Sequence, residues 1–354
     1  MNSQEPFIAQ SRKDDHVHHA LKQQDQPPRS PFDDIRFVHQ SLNSVNFHKI
    51  DISTQWAGHQ HQHPFYINGM TGGSRFTKQF NEKLAIVAAE TGLAMASGSV
   101  SAALKDPSVV DTFSIVRQMN PHGFVLANLG AHHNVDNAKR AVDILQANAL
   151  QIHLNIPQEV VMPEGDRDFS SWEQNIHDII AQVGVPVIIK EVGFGMSQET
   201  IQRLIELGVQ TIDVSGRGGT NFIQIENQRR DRLDFSALSE WGQTTPEALL
   251  EAKQYMGEVS ILASGGIRHY LDILKALAMG AKATGISGLF LKKINDDGVD
   301  STIRMVNDWS ESLRHLYLML GVENTSQLTN LPLIFNQNLI NWAQQRQIDL
   351  YAKD

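Results

Sequence analysis

Residues 260–288 read SILASGGIRHYLDILKALAMGAKATGISG, and this stretch contains the repeat that decides the fold. A short aliphatic run ends in a glycine pair, an amphipathic segment follows over residues 270–281, and a second aliphatic run begins at residue 283. Short runs without polar alternation are typical of strands that are covered on both faces, as in parallel sheets flanked by helices. The stretch therefore predicts a strand, a crossover helix and a second, parallel strand.

The same alternation extends back to residue 64, and Gly92, Gly208 and Gly280 stand where helix C-termini are expected. Eight strand–helix units over roughly 230 residues predict an α/β fold of the (β/α)8 TIM-barrel type. An open doubly wound sheet is the alternative, weakened because no GxGxxG follows the first strand. The predicted strands are PFYINGM (64–70), LAMASG (93–98), GFVLANLG (123–130), ALQIHLN (149–155), PVIIKEV (186–192), TIDVSG (211–216), SILASGG (260–266) and ATGISG (283–288).

The first 63 residues differ in character from the rest of the chain. They are rich in His, Gln and Pro and show little periodicity, so we expect residues 1–63 to form an arm that covers the active site. Residues 64–354 are assigned to the barrel with C-terminal helices. Within the arm, HQHQH (59–63) is interpreted as a solvated loop in preference to a metal site. RKDDH (12–16) is either a solvated mixed-charge segment or a source of two cations for a diphosphate.

Composition restricts the class of protein. With 41% apolar and 19% charged residues, the chain has a globular composition. No apolar run approaches the roughly 20 residues that span a bilayer, and the N-terminus lacks the apolar region of a secretory signal. A net charge of −9 without a long basic stretch argues against nucleic acid as partner. The absence of cysteine excludes thiolate catalysis and fits a reducing compartment, so we expect a cytoplasmic protein.

Functional residues of such a barrel lie where the strands end. MTGGS (70–74), after the first strand, permits close backbone approach to a ligand but equally forms a plain turn. ASGSVSAAL (96–104) supplies pocket hydroxyls, although helix–strand packing is the favoured explanation of its small residues alone. Asn128 ends the third strand and needs a partner, either a ligand or the backbone. His132 and His133 are interpreted as a polar pair at a helix start.

The later strands carry features that suit an anion. Lys190 ends VIIKEV (187–192), and an anionic cofactor atom is favoured over Glu191 as its partner because adjacent strand residues face opposite sides. Glycine-rich segments follow strands six to eight, and loops after strands seven and eight are a recurrent phosphate site. We therefore favour phosphate binding over plain turns at DVSGRGGTNF (213–222), ASGGIR (263–268) and TGISG (284–288).

Taken together, these motifs and QIHLNIPQEVVMPEGDRDF (151–169) resemble the type 2 isopentenyl diphosphate isomerases. The similarity runs from Arg12 to about residue 340, and the H-x-N-x-x-Q-E run with its downstream P-E-G-x-R is the most specific part. Further matches are VIIKEVGFGMS (187–197), GRGGTNF-x-x-IEN-x-RR (216–230) and SEWGQTTPEAL (239–249).

The resemblance implies an FMN- and Mg²⁺-dependent enzyme of isoprenoid biosynthesis that interconverts isopentenyl and dimethylallyl diphosphate, small-molecule diphosphate substrates. The reaction is a 1,3-allylic proton shift in which reduced FMN, kept reduced by NADPH, serves as acid and base at N5. The resemblance also implies a homo-oligomer, a tetramer or an octamer.

Residue roles follow from the resemblance position by position. Gln158 and Lys190 are expected to be catalytic, Gln158 by orienting a proton transfer and Lys190 by stabilising the anionic reduced flavin. Glu159 would hold Mg²⁺, and Trp241 would help to exclude water. The substrate-binding set is Arg12, Lys13, Ser99, His153, Asn155 and Gln158. The FMN-binding set is Thr71, Gly72, Gly73, Ser99, Asn128, Lys190, Ser215, Thr220, Gly265, Gly266, Ile267, Arg268, Ser287 and Gly288.

Three other functions compete with this one. An α-hydroxy-acid oxidase resembles this chain in the late glycines but places a catalytic His before the glycine pair after strand six, where this chain reads SGRGGT and has no His. A role like that of IMP dehydrogenase needs a catalytic cysteine, which the chain lacks. A non-catalytic sensor of flavin or diphosphate is the remaining alternative.

Overall fold

A computed structural model describes residues 5–69 and 72–350, with side chains from residue 13 onward. Eight parallel strands close into a barrel in chain order, so the predicted (β/α)8 fold is confirmed and the open sheet is wrong. The strands are β1 (Phe65–Ile67), β2 (Met95–Ala96), β3 (Val125–Gly130), β4 (Ala149–Leu154), β5 (Val187–Glu191), β6 (Thr211–Asp213), β7 (Ser260–Ser264) and β8 (Ala283–Ile286).

Strand register places the polar residues of neighbouring strands side by side. His153 of β4 pairs with Lys190 of β5, which in turn pairs with Asp213 of β6. Paired residues of adjacent strands project to the same face of a sheet. The alternating polar residues of the sequence therefore meet at one level inside the barrel, just below its carboxyl-terminal mouth.

Helices cover the outer face of the barrel, and local signals set their ends. In α2, Ser74 and Thr77 form a reciprocal capping box, and Gly92 ends the helix with φ 73°. Gly298 (φ 76°) breaks the long α12 in its interior. The helices are α1 (Glu5–Asp25), α2 (Arg75–Thr91), α3 (Ser101–Lys105), α4 (Asp111–Met119), α5 (Val135–Leu145), α6 (Ile156–Val161), α7 (Trp172–Gln182), α8 (Gln198–Glu206), α9 (Phe222–Gln228), α10 (Thr245–Ala252), α11 (Tyr270–Ala278), α12 (Gly288–Leu320) and α13 (Gln337–Gln345).

Helix α1 is the part of the N-terminal segment that lies at the mouth. Val17 and Ala20 are buried against the protein core, and Asp25 pairs with Lys292 at 2.5 Å. The side chain of Gln23 accepts a hydrogen bond from the backbone of Asn221 at 2.9 Å. The low periodicity of this segment gave no sign of a helix, whereas the chain forms a helix of 21 residues here.

Further short elements tie the N-terminal segment to the rest of the chain. The strand Ile35–Phe37 pairs antiparallel with Leu333–Phe335 near the C-terminus. Short 3₁₀ helices occupy Pro31–Asp34, Phe47–Lys49, Pro107–Val109, Ser236–Leu238, Lys253–Tyr255 and Thr325–Asn330. Among the helices that the structure describes, none combines the length and apolarity needed to cross a bilayer.

A hairpin of Thr54–Trp56 and His59–His61 fills the amino-terminal end of the barrel. Trp56 is 2% exposed, contacts Tyr66 inside the barrel, and stacks on the His61 ring at 3.9 Å. Burial lowers the pKa of His61 to about 4, so its ring is neutral at physiological pH. The interpretation of residues 59–63 as a solvated loop is therefore wrong, because the segment forms a strand and buries His61.

Candidate active site

A cavity of about 340 Å³ opens at the carboxyl ends of the strands, beside α1. It is lined by residues from several strand exits, as expected for the functional end of this fold. The residues predicted for the site that line this cavity are Lys13, Ser99, Asn128, His153, Asn155, Gln158, Glu159, Lys190, Ser215, Thr220, Gly265, Gly266, Ile267, Arg268, Ser287 and Gly288.

Four residues predicted to bind FMN or substrate are not placed at the cavity. Gly72 packs against the Phe113 ring, and the backbone N–H of Gly73 donates to Thr112 at 3.0 Å. This packing favours the plain-turn reading of the MTGGS segment, and contact of Gly72 and Gly73 with FMN stays a prediction. Thr71 and the side chain of Arg12 lie outside the described residues, so their roles also stay predictions.

A buried carboxylate, Asp213, lies in the polar layer beneath the cavity. It accepts hydrogen bonds from the hydroxyls of Tyr66 (3.1 Å) and Ser264 (2.9 Å), from the amide of Asn68 (3.2 Å) and from the backbone of Ser215 (3.1 Å). A buried charge is tolerated when donors surround it in this way. Asp213 therefore gives the site a fixed negative centre below its cations.

Lys190 is the buried cation of the site. Its Nζ donates to the backbone carbonyl of Glu191 at 2.7 Å, while the Glu191 carboxylate accepts the backbone N–H groups of residues 192–194. The two side chains thus face opposite sides of the strand, as the alternation predicted. Burial lowers the pKa of Lys190, and the charges of Asp213 and Glu191 oppose that shift.

Gln158 and its neighbours sit at the start of α6, immediately after β4. The Asn155 amide donates to Gln158 Oε1 at 3.3 Å and to Glu159 Oε1 at 2.8 Å, and Gln158 Nε2 donates to Glu226 Oε1 at 2.9 Å. Because its oxygen accepts one bond and its nitrogen donates another, the Gln158 amide has a defined orientation. The neutral side chain is therefore held in place at the cavity wall.

Glu226 is a site residue that the sequence reading missed. Its side chain is fully buried, and its carboxylate contacts His16 Nε2 at 2.9 Å and Arg229 Nη1 at 2.5 Å. Burial alone would raise the pKa of Glu226, but contacts with His16, Gln158 and Arg229 hold it at about 2. In the sequence, the only sign of this residue was an acidic side chain between Ile225 and Asn227 in the IEN motif. The fold shows that this carboxylate accepts a hydrogen bond from Gln158.

The P-E-G-x-R segment folds back on Glu159 and explains the spacing of that motif. A Cβ atom at Gly165 would lie 2.1 Å from the carbonyl oxygen of Glu159, so only glycine fits there. Arg167 donates to the carbonyls of Glu159 and Met162 at 2.5 and 3.0 Å. Glu159 Oε2 also accepts the backbone N–H of Asp166 at 2.8 Å, which holds the carboxylate at the cavity.

The loops after β6, β7 and β8 form a cradle of backbone groups. Gly265 and Gly266 have φ angles of 95° and 77°, a conformation that turns successive N–H groups toward one side. Within the described chain, no backbone hydrogen bond takes the N–H groups of residues 265–267. Arg268 adds a guanidinium that donates to Gly218 at 3.0 Å, and Gly288 opens α12.

His132 and His133 directly precede the start of α5, and the structure adds contacts that the sequence did not show. His133 is buried, contacts Ser101 Oγ at 2.7 Å, and has a pKa lowered to about 3 by burial. His132 lines the cavity, which its position at a helix start did not suggest. Trp241 is 59% exposed and lies outside the cavity lining, so the expectation that it excludes water is wrong.

Fold and sequence comparisons define the class. The family described as FMN-dependent dehydrogenase matches residues 131–334, more than half of the chain. Similar solved structures include a mandelate oxidase variant with 2-hydroxy-phenylacetamide (TM-score 0.63, 16% identity, 91% of this chain and 90% of that one). A flavocytochrome b2 variant with benzoylformate gives a TM-score of 0.62 at 19% identity, over 96% of this chain and 82% of that one. These identities show a shared fold alone, and the chain belongs to the FMN-dependent dehydrogenase class of barrels.

Curated relatives define the family within that class. Isopentenyl-diphosphate delta-isomerases of Staphylococcus haemolyticus (strain JCSC1435) and Staphylococcus aureus (strain JH9) are each 48% identical over 345 residues, which cover 98% of this chain and 99% of theirs. The chain belongs to the isopentenyl-diphosphate delta-isomerase family. The resemblance drawn from the sequence motifs is thereby confirmed.

Proposed function

We propose that the protein is a type 2 enzyme that interconverts isopentenyl and dimethylallyl diphosphate in isoprenoid biosynthesis, with FMN, Mg²⁺ and NADPH as the flavin reductant. One observation carries the proposal: a single cavity combines an anion cradle after β7 and β8, the cation Lys190, and the Gln158–Glu159 pair. The oxidase alternative is weaker because residues 213–222 contain no histidine.

The cradle fits the phosphate of FMN. Gly265 and Gly266 have positive φ angles, and the N–H groups of residues 265–267 have no backbone partner among residues 5–69 and 72–350. The N-terminus of α12 stands beside them. A Cβ atom at Gly266 would lie 2.9 Å from Pro31, so the cradle is closed to a larger residue. Asn128, Ser99, Ser215 and Thr220 would hold the ring and ribityl chain, and reduced FMN would supply acid–base chemistry at N5.

Glu159 fits Mg²⁺ as a single protein ligand. Within the described residues, no group of three His, Cys, Asp or Glu side chains could hold a metal ion by itself. Mg²⁺ in phosphate sites keeps several waters and uses one or two carboxylates together with substrate phosphates. Glu159, held by Asn155 and by the backbone of Asp166, would supply the carboxylate, and oxygens of the substrate diphosphate and of water would complete the coordination.

Lys190 would act on the reacting region through its charge, and Gln158 through the orientation of its amide. Lys190 is a buried cation that stabilises negative charge placed above it, and Asp213 helps to keep it protonated. Gln158 is held by Asn155 on one side and by Glu226 on the other, so it orients a proton transfer with a preset amide. Preorganised groups of this kind cost little rearrangement in the transition state.

The substrate diphosphate would be anchored by side chains from β4 and from the N-terminal segment. Lys13 on α1 lines the cavity with His153 and Asn155, and Arg12 precedes it in the chain. Binding energy from this remote group would position the alkene for reaction. We assign residues 1–63 to a cover over the active site and residues 64–354 to the FMN-binding barrel, in a cytoplasmic homo-oligomer, a tetramer or an octamer.

The decisive experiment is anaerobic turnover of isopentenyl diphosphate with FMN, Mg²⁺ and NADPH, each omitted in turn. We expect dimethylallyl diphosphate to form only when all three are present or when the flavin is reduced by another agent. A purified protein that is colourless and takes up no FMN would overturn the proposal. A yellow protein that binds the diphosphate without turnover would instead favour a sensor.

A further inference from the structure

A continuous line of side-chain hydrogen bonds crosses the barrel interior from Asp213 to His153. Asn68 Nδ2 donates to Asp213 at 3.2 Å, and Gln151 Nε2 donates to Asn68 Oδ1 at 3.2 Å. Asn128 Nδ2 donates to Gln151 Oε1 at 3.2 Å, and His153 Nδ1 lies 2.8 Å from Asn128 Oδ1. The interior links are buried, with Gln151 fully inaccessible to solvent.

The direction of every bond in this line follows from its Asp213 end. A carboxylate only accepts, so Asn68 must turn its NH₂ group toward Asp213. The backbone N–H of Gly69 donates to Asn68 Oδ1 at 2.9 Å, which fixes the same orientation independently. Each amide has one accepting and one donating end, so the orientation of Asn68 sets that of Gln151 and then that of Asn128.

The last link sets the protonation pattern of the His153 ring. Asn128 Oδ1 faces the ring, so Nδ1 must carry the proton and donate. In the neutral ring, Nε2 is then a bare acceptor, and no hydrogen bond joins it to the part of the chain that the structure describes. Burial holds the pKa of His153 well below its usual value, and the charged or titratable groups that face the ring lower it further. These groups are Lys190, His132, Lys13 and His133.

We propose that Gln151 is a positioning residue that keeps His153 with its proton on Nδ1, so that binding of the substrate diphosphate places a second proton on Nε2. This inference rests on the proposed function, because it takes the diphosphate to bind beside His153. A phosphate oxygen and a bare Nε2 are both acceptors and repel each other. A proton taken from solvent onto Nε2 lets the imidazolium donate from Nδ1 to Asn128 and from Nε2 to the phosphate.

The sign of the pH effect follows from proton uptake. The diphosphate raises the pKa of His153 on binding, so the complex holds one more proton than the free enzyme between the two pKa values. Affinity in that window weakens by about tenfold for each unit of pH increase. Below the pKa of the free ring, and above that of the bound ring, the histidine contributes no pH dependence.

The test is calorimetric titration of isopentenyl diphosphate and Mg²⁺ into the FMN-loaded, oxidised enzyme, in buffers of different ionisation enthalpy. At the pH where the two proteins differ most in proton uptake, wild type should take up about one proton more on ligand binding than His153→Gln does. In Gln151→Met the Asn128 amide is free to turn, His153 can carry its proton on Nε2, and the extra uptake should be lost. Ser264→Ala removes a donor to Asp213 outside the line and should keep the uptake of wild type.

Two results would overturn the inference. One is a wild-type proton uptake equal to that of His153→Gln at every pH, and the other is unchanged uptake in Gln151→Met. If Gln151→Met does not fold, nitrogen NMR of labelled histidine in wild type decides, because a proton on Nε2 of the free enzyme contradicts the proposed direction. Normal isomerase turnover with no proton uptake defeats this inference alone, whereas absence of turnover defeats the proposed function.

Discussion

Replacing Glu226 by Gln should impair turnover more than it impairs binding. Glu226 is fully buried and accepts the Gln158 amide at 2.9 Å, with His16 and Arg229 on its other sides. A hydrogen bond to an ionised group contributes about 1.5–3 kcal/mol. If that energy holds Gln158 in its reactive position, Glu226→Gln should lower kcat by about 10- to 150-fold.

The same carboxylate should make stability depend on acid. Against the opposing effect of burial, contacts with His16, Gln158 and Arg229 hold the pKa of Glu226 at about 2, below its ordinary 4.5. A carboxylate whose pKa is lower in the folded than in the unfolded state stabilises the fold when the pH is above its unfolded-state pKa. This stabilisation is lost as the pH falls toward the folded-state pKa. The shift corresponds to about 3 kcal/mol near neutral pH, which Glu226→Gln should remove from the free energy of unfolding.

Glu251→Gln is the matched control for these effects. Glu251 is also a buried carboxylate with several donors, from Trp342, Arg346 and the backbone of Gln198, but Gln158 is not among its described partners. Both variants should lower the free energy of unfolding in denaturant titrations, while only Glu226→Gln should lower kcat in anaerobic isopentenyl diphosphate assays. A kcat for Glu226→Gln equal to that of the control would refute the positioning of Gln158 by Glu226.

Three further changes test other parts of the site and fold. Gln158→Ala should retain FMN, seen by visible absorbance, and lose most turnover; a rate near wild type removes Gln158 from the mechanism. Gly266→Ala introduces a Cβ 2.9 Å from Pro31 at a φ of 77°, so purified protein should be colourless, and full flavin content would contradict the cradle. Trp56→Ala removes the ring that stacks on His61 and should lower the free energy of unfolding by about 3–5 kcal/mol, while FMN binding is retained. A loss under about 1 kcal/mol would contradict the packing role of Trp56.

The sequence predicted the barrel because its strands are short, apolar on both faces and separated by amphipathic segments. It predicted much of the cavity lining for a related reason: the fold places strand exits together, so residues such as Lys190 and Gly265 needed only correct strand ends. The resemblance of the motifs then supplied roles that no spacing could supply. The fold restricts which strand ends can form the site, and the motifs at those strand ends restrict which family the chain can resemble.

Other features depend on contacts between distant parts of the chain, and the sequence could not reveal them. His61 looked solvated among glutamines, yet its ring stacks on Trp56 across a hairpin. Glu226 stood in a quoted motif without a role, because its partners His16 and Gln158 lie 210 and 68 positions away in the chain. Helix α1 has little apolar periodicity, since much of what it contacts at the mouth is polar.

The Trp56 hairpin has a consequence for the order of events in catalysis. Because Trp56 and its neighbours fill one end of the barrel, small molecules reach the polar layer through the opposite mouth, beside helix α1. Substrate and product then enter and leave through the same mouth of the barrel. An arriving diphosphate has to wait until the previous product has departed, so residence of product at the mouth sets an upper bound on how often the site can be refilled.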